Sequence, residues 1–262
     1  MNLLEMRVRV GYKCDIDMNS TPDIPAQGAS DQRFITAEKV NAWLNEGMRL
    51  VYGRMAELGA ETLIVEGSGT YTAESRNLSL QTILSITVDP YKIGNVADIT
   101  NNTSGAGMPL QYEPYQLFRE RRLNADSLVT RSSDRYWSYG QNNPMVLYIW
   151  PRPSSDLTLR IAFIPDEPIA PAVTGSATEL TNTTDVPSFI PGVHHDMLVD
   201  YACVQAKKSE EDPSWKDDDL TFREKLDSFI QGIEERQQQS SRMVNVTDST
   251  EYADGSTSAW YY

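Results

Sequence analysis

His194 and His195 are the only histidines in the 262-residue chain, so any zinc or acid–base centre built on imidazole has to use them. Side chains at i and i+1 on a helix point about 100° apart, which suits a single metal badly, whereas an HExxH pair shares one face. A structural or surface role is expected for both. Glu210, Glu211, Asp212, Asp217, Asp218 and Asp219 are dense enough to suggest calcium. They lack the DxDxDG spacing and closing Glu of an EF-hand loop, so a solvated corner between helices is expected. Gly67-Ser68-Gly69-Thr70 is too short for a phosphate cradle and has no GKS/T sequence; it reads as a turn. Asp166 and Glu167 are carboxylates of the kind a glycosidase uses, but neighbours in sequence do not define the spacing needed across a sugar. Tyr136, Trp137, Tyr139, Tyr148 and Trp150 offer faces for stacking on a sugar, although aromatics alternating along strands more often build a core or a subunit interface. No catalytic residue, cofactor or metal is expected from these patterns.

Charge narrows the partners. With 23 Lys and Arg against 37 Asp and Glu, the net charge of −14 argues against ordinary nucleic-acid binding, which needs clustered cations to displace phosphate counterions. Arg119, Arg121, Arg122, Arg131 and Arg135 form the one basic stretch, either a solvated face or a patch for an acidic neighbour. Cys14 and Cys203 lie far apart without a CxxC, which fits a reducing compartment, and Cys203 is expected to pack as a small hydrophobe. No run of eighteen apolar residues and no secretory-signal pattern occurs, so neither a membrane span nor export is expected.

The elements that would position these residues are organised around residues 186–233. Met197, Leu198, Tyr201, Ala202, Gln205 and Ala206 recur at helical spacing. Pro213 interrupts them, and Ser214 is placed to cap the next helix. Phe222, Leu226, Phe229, Ile230 and Ile233 mark that second helix, and two helices joined by a short turn pack antiparallel. A third element is needed to close the core. Val40, Trp43, Leu44, Met48, Val51, Met55 and Leu58 supply it on a helix over residues 37–58, with Thr36 as cap, Gly59 as terminator and Gly47 permitting close helix approach. The predicted helical core therefore holds Trp43, Leu44, Met48, Val51, Met55, Leu198, Tyr201, Phe222, Leu226, Phe229 and Ile233.

Elsewhere the period shortens to two. Residues 6–10 read as a short strand, residues 78–88 as a half-buried strand with residues 96–100 paired to it, and residues 112–122 as a short helix. Residues 145–150 and 157–164 read as two strands of a hairpin joined by residues 151–156. The predicted class is α+β: an antiparallel helical bundle built from both ends of the chain, an inserted antiparallel β domain, and extended arms. The boundaries are residues 1–33 for an N-terminal strand and arm, 34–61 with 186–239 for the discontinuous bundle, 62–185 for the insertion and 240–262 for a polar tail. That tail ends in Trp260, Tyr261 and Tyr262.

This order, with Trp150-Pro151-Arg152-Pro153 closing a strand, then Val186-Pro187, His195 through Ala202, and a Phe/Leu-rich last helix, resembles the head-to-tail connector, or adaptor, proteins of tailed bacteriophages. The resemblance covers about residues 36–239 and carries no catalytic residue with it. It implies a non-enzymatic structural virion protein made in the host cytoplasm and placed in the neck. There a homo-oligomeric ring of about twelve copies sits beneath the portal protein. Tail or neck proteins assemble onto the ring, and DNA passes through its channel without specific binding. The arms would reach the portal or neighbouring subunits, with Trp260, Tyr261 and Tyr262 as portal anchors. The alternative from another class is a carbohydrate-binding or carbohydrate-cleaving virion component, motivated by the Tyr/Trp-rich strands.

Overall fold

A computed structural model describes residues 1–14, 35–75, 77–86, 89–100, 107–123, 135–140, 145–168 and 179–251. The protein is mixed α+β, with six α-helices and two four-stranded sheets among these residues. It divides into two compact units, Met1–Ala60 with Leu180–Tyr262, and Glu61–Glu179. No described helix is long and apolar enough to cross a membrane.

The first unit begins with helix α1, Leu3–Lys13, where the sequence reading expects a strand. Residues 6–10 do alternate, but Leu3, Met6, Arg7, Val10 and Gly11 are the buried set, and that is the spacing of one helical face. Asn2 and Glu5 start it as a capping box: the Glu5 N–H donates to the Asn2 side chain at 2.9 Å and the Asn2 N–H donates to Glu5 Oε2 at 3.1 Å. Helix α2, Ala37–Leu58, has the expected limits, with Thr36 accepting from the Lys39 N–H and Gly59 in the left-handed conformation. Helices α5, Asp196–Ser209, and α6, Trp215–Glu251, lie either side of the corner at Pro213. At that corner the side-chain bond comes from Asp212, whose Oδ1 accepts from the Ser214 N–H at 2.9 Å. Helix α6 runs on beyond Gln239, where the sequence reading starts a tail.

Helix α5 packs against α1, α2 and α6, and every residue from Met197 to Val204 is buried. On α2, Leu44, Met48, Val51 and Met55 are at most 4 % exposed. Leu198, Tyr201, Phe222, Leu226 and Phe229 are buried too, while Trp43 and Ile233 are half-buried. A Cβ on Gly47 would come within 2.9 Å of the Tyr201 ring, so glycine sets how closely α2 and α5 approach.

The second unit carries the sheets β1-β8-β3-β4 and β2-β7-β6-β5. The first is built from β1 (Val65–Tyr71), β3 (Pro90–Asp98), β4 (Met108–Pro109) and β8 (Leu157–Pro165), all antiparallel pairs. The second is built from β2 (Leu78–Ser79), β5 (Gln111–Tyr112), β6 (Tyr136–Gly140) and β7 (Val146–Trp150). Its β5–β6 pair is parallel, so the insertion is not wholly antiparallel. Tyr71, Leu80, Leu110, Trp137, Leu147, Leu159 and Phe163 belong to one apolar cluster contributed by both sheets.

Four local expectations change here. The segment after β2 is helix α3, Leu80–Leu84, because Ser79 caps it by accepting from the Thr82 N–H at 3.1 Å. Leu80 and Leu84 satisfy both a two-residue and a four-residue period, so alternation alone could not separate the two states. Strand β3 accordingly pairs with β8 rather than with residues 78–88, of which 87 and 88 lie outside the described residues. Strands β7 and β8 both form but lie in different sheets, β7 between β2 and β6 and β8 between β1 and β3, so they do not make a hairpin. Gly67-Ser68-Gly69-Thr70 lies inside β1 instead of in a turn. A Cβ on Gly69 would fall 1.6 Å from the Ile83 carbonyl oxygen, so this glycine lets α3 sit against the strand.

Phe222→Ala and Leu226→Ala are each expected to cost about 2 to 5 kcal/mol, the range for large-to-small changes in a packed core. Urea midpoints equal to wild type would remove the α5–α6 seam from the core. Gly69→Ala is expected to lower stability far more than Gly53→Ala, since a Cβ on Gly53 meets nothing within 4 Å; thermal midpoints of the two variants make the comparison.

Candidate functional site

Helix α5 is buried on all sides over two turns, and Asp200 is the charged residue within that stretch. A carboxylate so placed needs cations. Lys13 of α1 donates to Asp200 Oδ1 and Lys225 of α6 donates to Oδ2, both at 2.5 Å. Burial acts to lower the Lys13 pKa, but the bond and charge of Asp200 outweigh it and hold the ammonium above its ordinary value. Arg9 adds a more exposed pair with Asp196 at 2.6 Å. These contacts fix α1 along α5.

His195, 2 % exposed, works as a structural joint at the start of that helix. Its Nε2–H donates to the Ile190 carbonyl at 2.8 Å, leaving Nδ1 to accept from the Met1 ammonium at 2.8 Å. Burial keeps its pKa below the ordinary histidine value, helped by the ammonium and opposed by the Ile190 and Met1 carbonyls. His194 packs its ring against Phe229 at 4.6 Å.

The chain returning to the helices is pinned by two further polar groups. Asn45 on α2, buried, donates to the Leu180 carbonyl at 3.1 Å and accepts from the Leu180 N–H at 2.7 Å, pairing that backbone in both directions. Asp185 accepts from the N–H groups of Thr181 and Asn182 at 2.8 and 2.7 Å. Burial raises its pKa, but those hydrogen bonds prevail and leave it lowered. The carbonyls of Asp185 and Thr183 in turn accept from the first amides of α1.

Cys14 and Cys203, free thiols, also meet where α1 lies on α5. Their mutual hydrogen bond lowers the Cys14 pKa against the effect of burial, and the same bond together with burial raises that of Cys203. Sequence distance concealed this pair.

The acidic corner does not gather into a cage. Asp218 pairs with Lys207 at 2.6 Å and Asp219 with Arg223 at 2.9 Å. Among the described residues no group of three or more His, Cys, Asp or Glu could hold a metal. Asp166 and Glu167 are both exposed. Of the basic stretch, Arg135 pairs with Asp98, Arg119 and Arg122 project from helix α4 (Tyr115–Leu123), and Arg131 lies outside the described residues. Trp260, Tyr261 and Tyr262 lie outside them as well.

The strand aromatics divide by depth. Trp137 is buried, donating its indole N–H to the Leu110 carbonyl at 3.2 Å. Tyr112, 54 % exposed, lies against Trp137 and Tyr139 with centroids 4.9 and 6.0 Å away. Tyr115 of α4 meets Tyr148 at 5.2 Å, and Phe118 is the one buried side chain described on that helix.

His195 gives a pH test. An unfolded histidine titrates near 6.5, and the folded group titrates lower, so below about pH 6.5 the unfolded chain takes up a proton that the folded chain refuses. The contribution is complete above that value and is lost as pH falls towards the folded pKa. In urea melts between about pH 7.5 and 5.5, wild type should lose more stability than His195→Asn. Parallel losses would show that folding does not lower the His195 pKa.

The family described as SU10 adaptor protein matches residues 1–249, thus both described units. No curated protein matches the chain. A match of that extent shows the family, and this chain belongs to the SU10 adaptor protein family.

Proposed function

We propose that the chain is a non-enzymatic structural protein of a tailed-phage virion, a head-to-tail adaptor whose copies form a ring between portal and tail. The observation that carries this reading is the family match across residues 1–249. In this reading the helices from the two ends of the chain make the rigid body of each subunit, and the β-rich insertion offers a second surface to neighbours. The polar stretches towards the two ends of the chain reach the portal or neighbouring subunits as arms. The portal is the partner on one side and tail or neck proteins on the other.

Charge supports passage of DNA without capture. Carboxylates of a chain carrying −14 that faced the channel would repel phosphates and keep the duplex from sticking during ejection. Trp260, Tyr261 and Tyr262 bring large rings to a stretch otherwise too polar to build a core, the chemistry of an interface anchor.

Purified protein mixed with portal-bearing capsids should appear in electron micrographs as a ring at the portal vertex, and should bind duplex DNA weakly. Deleting residues 251–262 should leave the thermal midpoint nearly unchanged and weaken attachment to the portal. Tight, salt-sensitive binding of duplex DNA would contradict the channel role, because that slope reports phosphate neutralisation. Saccharide binding by a monomer that ignores the portal would replace the adaptor reading with the carbohydrate one.

A further inference from the structure

Five of the twelve exposed large apolar side chains among the described residues fall in one short segment: Met108, Tyr112, Tyr115, Leu117 and Leu123. Such concentration is unusual for a solvated surface and marks a contact site. Helix α4 supplies three of the five and turns only Phe118 of its described side chains into the unit. At 3.6 residues per turn, Tyr115, Arg119, Arg122 and Leu123 share one sector about 100° wide. Arg119 and Arg122 are exposed and have no ion pair among the described residues. The surface is therefore apolar and cationic, on a chain whose overall charge is −14.

The outward side of α6 is its complement. Leu220, Glu224, Asp227, Gln231, Glu234 and Glu235 are exposed and fall in another sector about 100° wide, opposite the seam of Phe222, Leu226 and Phe229. From Leu220 to Glu235 it holds four carboxylates, an exposed leucine and no cation, with Lys216 at its edge one turn earlier. Glu224 and Asp227 are one helical turn apart, as are Arg119 and Arg122.

We propose that α4 of one copy docks along the acidic outer stripe of α6 of a neighbouring copy, with Arg119 and Arg122 against Glu224 and Asp227. The contact uses different surfaces on its two sides, so it repeats from copy to copy and closes into a ring when the rotation permits. The inference rests on the proposed adaptor ring and assigns its faces. A second copy is the occupant that matches both features, since it brings carboxylates at the arginine spacing together with Leu220.

The test uses full-length protein with charges reversed on one face at a time. Arg119→Glu with Arg122→Glu gives two acidic faces, and Glu224→Arg with Asp227→Arg gives two basic ones. Each variant should keep its circular-dichroism spectrum and thermal midpoint but associate at least about tenfold more weakly in sedimentation velocity, alone and with portal-bearing capsids, since like charges then face each other. An equimolar mixture of the two should recover association, because each acidic α4 then meets a basic α6 and the reverse. A wild-type ring that survives both reversals, or a mixture that does not recover, would overturn this contact while leaving the adaptor reading intact. Variants that lose only portal attachment, or only duplex DNA binding, would give the face to that partner and overturn it equally. A wild-type chain that never associates, alone or on portals, would overturn the ring and this contact together.

Discussion

The constraint on which the helical unit depends is the enclosure of α5 from Met197 to Val204. Two helical turns buried on every side have no solvent-facing stripe on which to keep a charge, yet they carry Asp200. The carboxylate is tolerable because lysines from two other helices reach it, each through a side chain whose other parts remain in water. Lys13 and Asp200 are 187 positions apart, so the fold must bring together helices contributed before and after the inserted unit. Loop-closure entropy grows only slowly with length, roughly 0.6 kcal/mol per doubling, so a large insertion does not forbid this arrangement. The joints at Asn45 with Leu180 and at Asp185 with α1 then hold the returning chain in register.

Much of this is readable where the signal is local. Thr36, Gly59 and the apolar steps between them define α2 because cap, terminator and period agree. The α6 seam and the break at Pro213 are legible for the same reason. Residues 6–10 and 78–84 mislead because short segments satisfy two periods at once; in both, the cap carries the decisive information, Asn2 with Glu5 in one and Ser79 with Thr82 in the other. What could not be read is pairing at a distance. Nothing near Cys14 announces Cys203, and nothing near Trp150 or Leu157 reveals that their strands go to separate sheets.

The candidate residues for chemistry resolve mainly into structural work. His195 joins α5 to the Met1 amine and the Ile190 carbonyl, and at the acidic corner Asp218, Asp219 and Asp212 bind Lys207, Arg223 and the Ser214 amide. The exposed features include an aromatic and cationic segment around α4 and a carboxylate stripe along α6. Such surfaces suit assembly, which family membership independently favours.

Complementation of assembly in extracts tests the adaptor account most directly. Infected-cell extract from a phage in which this chain is not made should contain DNA-filled heads and separate tails, and adding the purified protein should restore joined, infectious particles. Complete particles in the unsupplemented extract, or heads and tails that stay apart after the protein is supplied, would contradict a role at the junction.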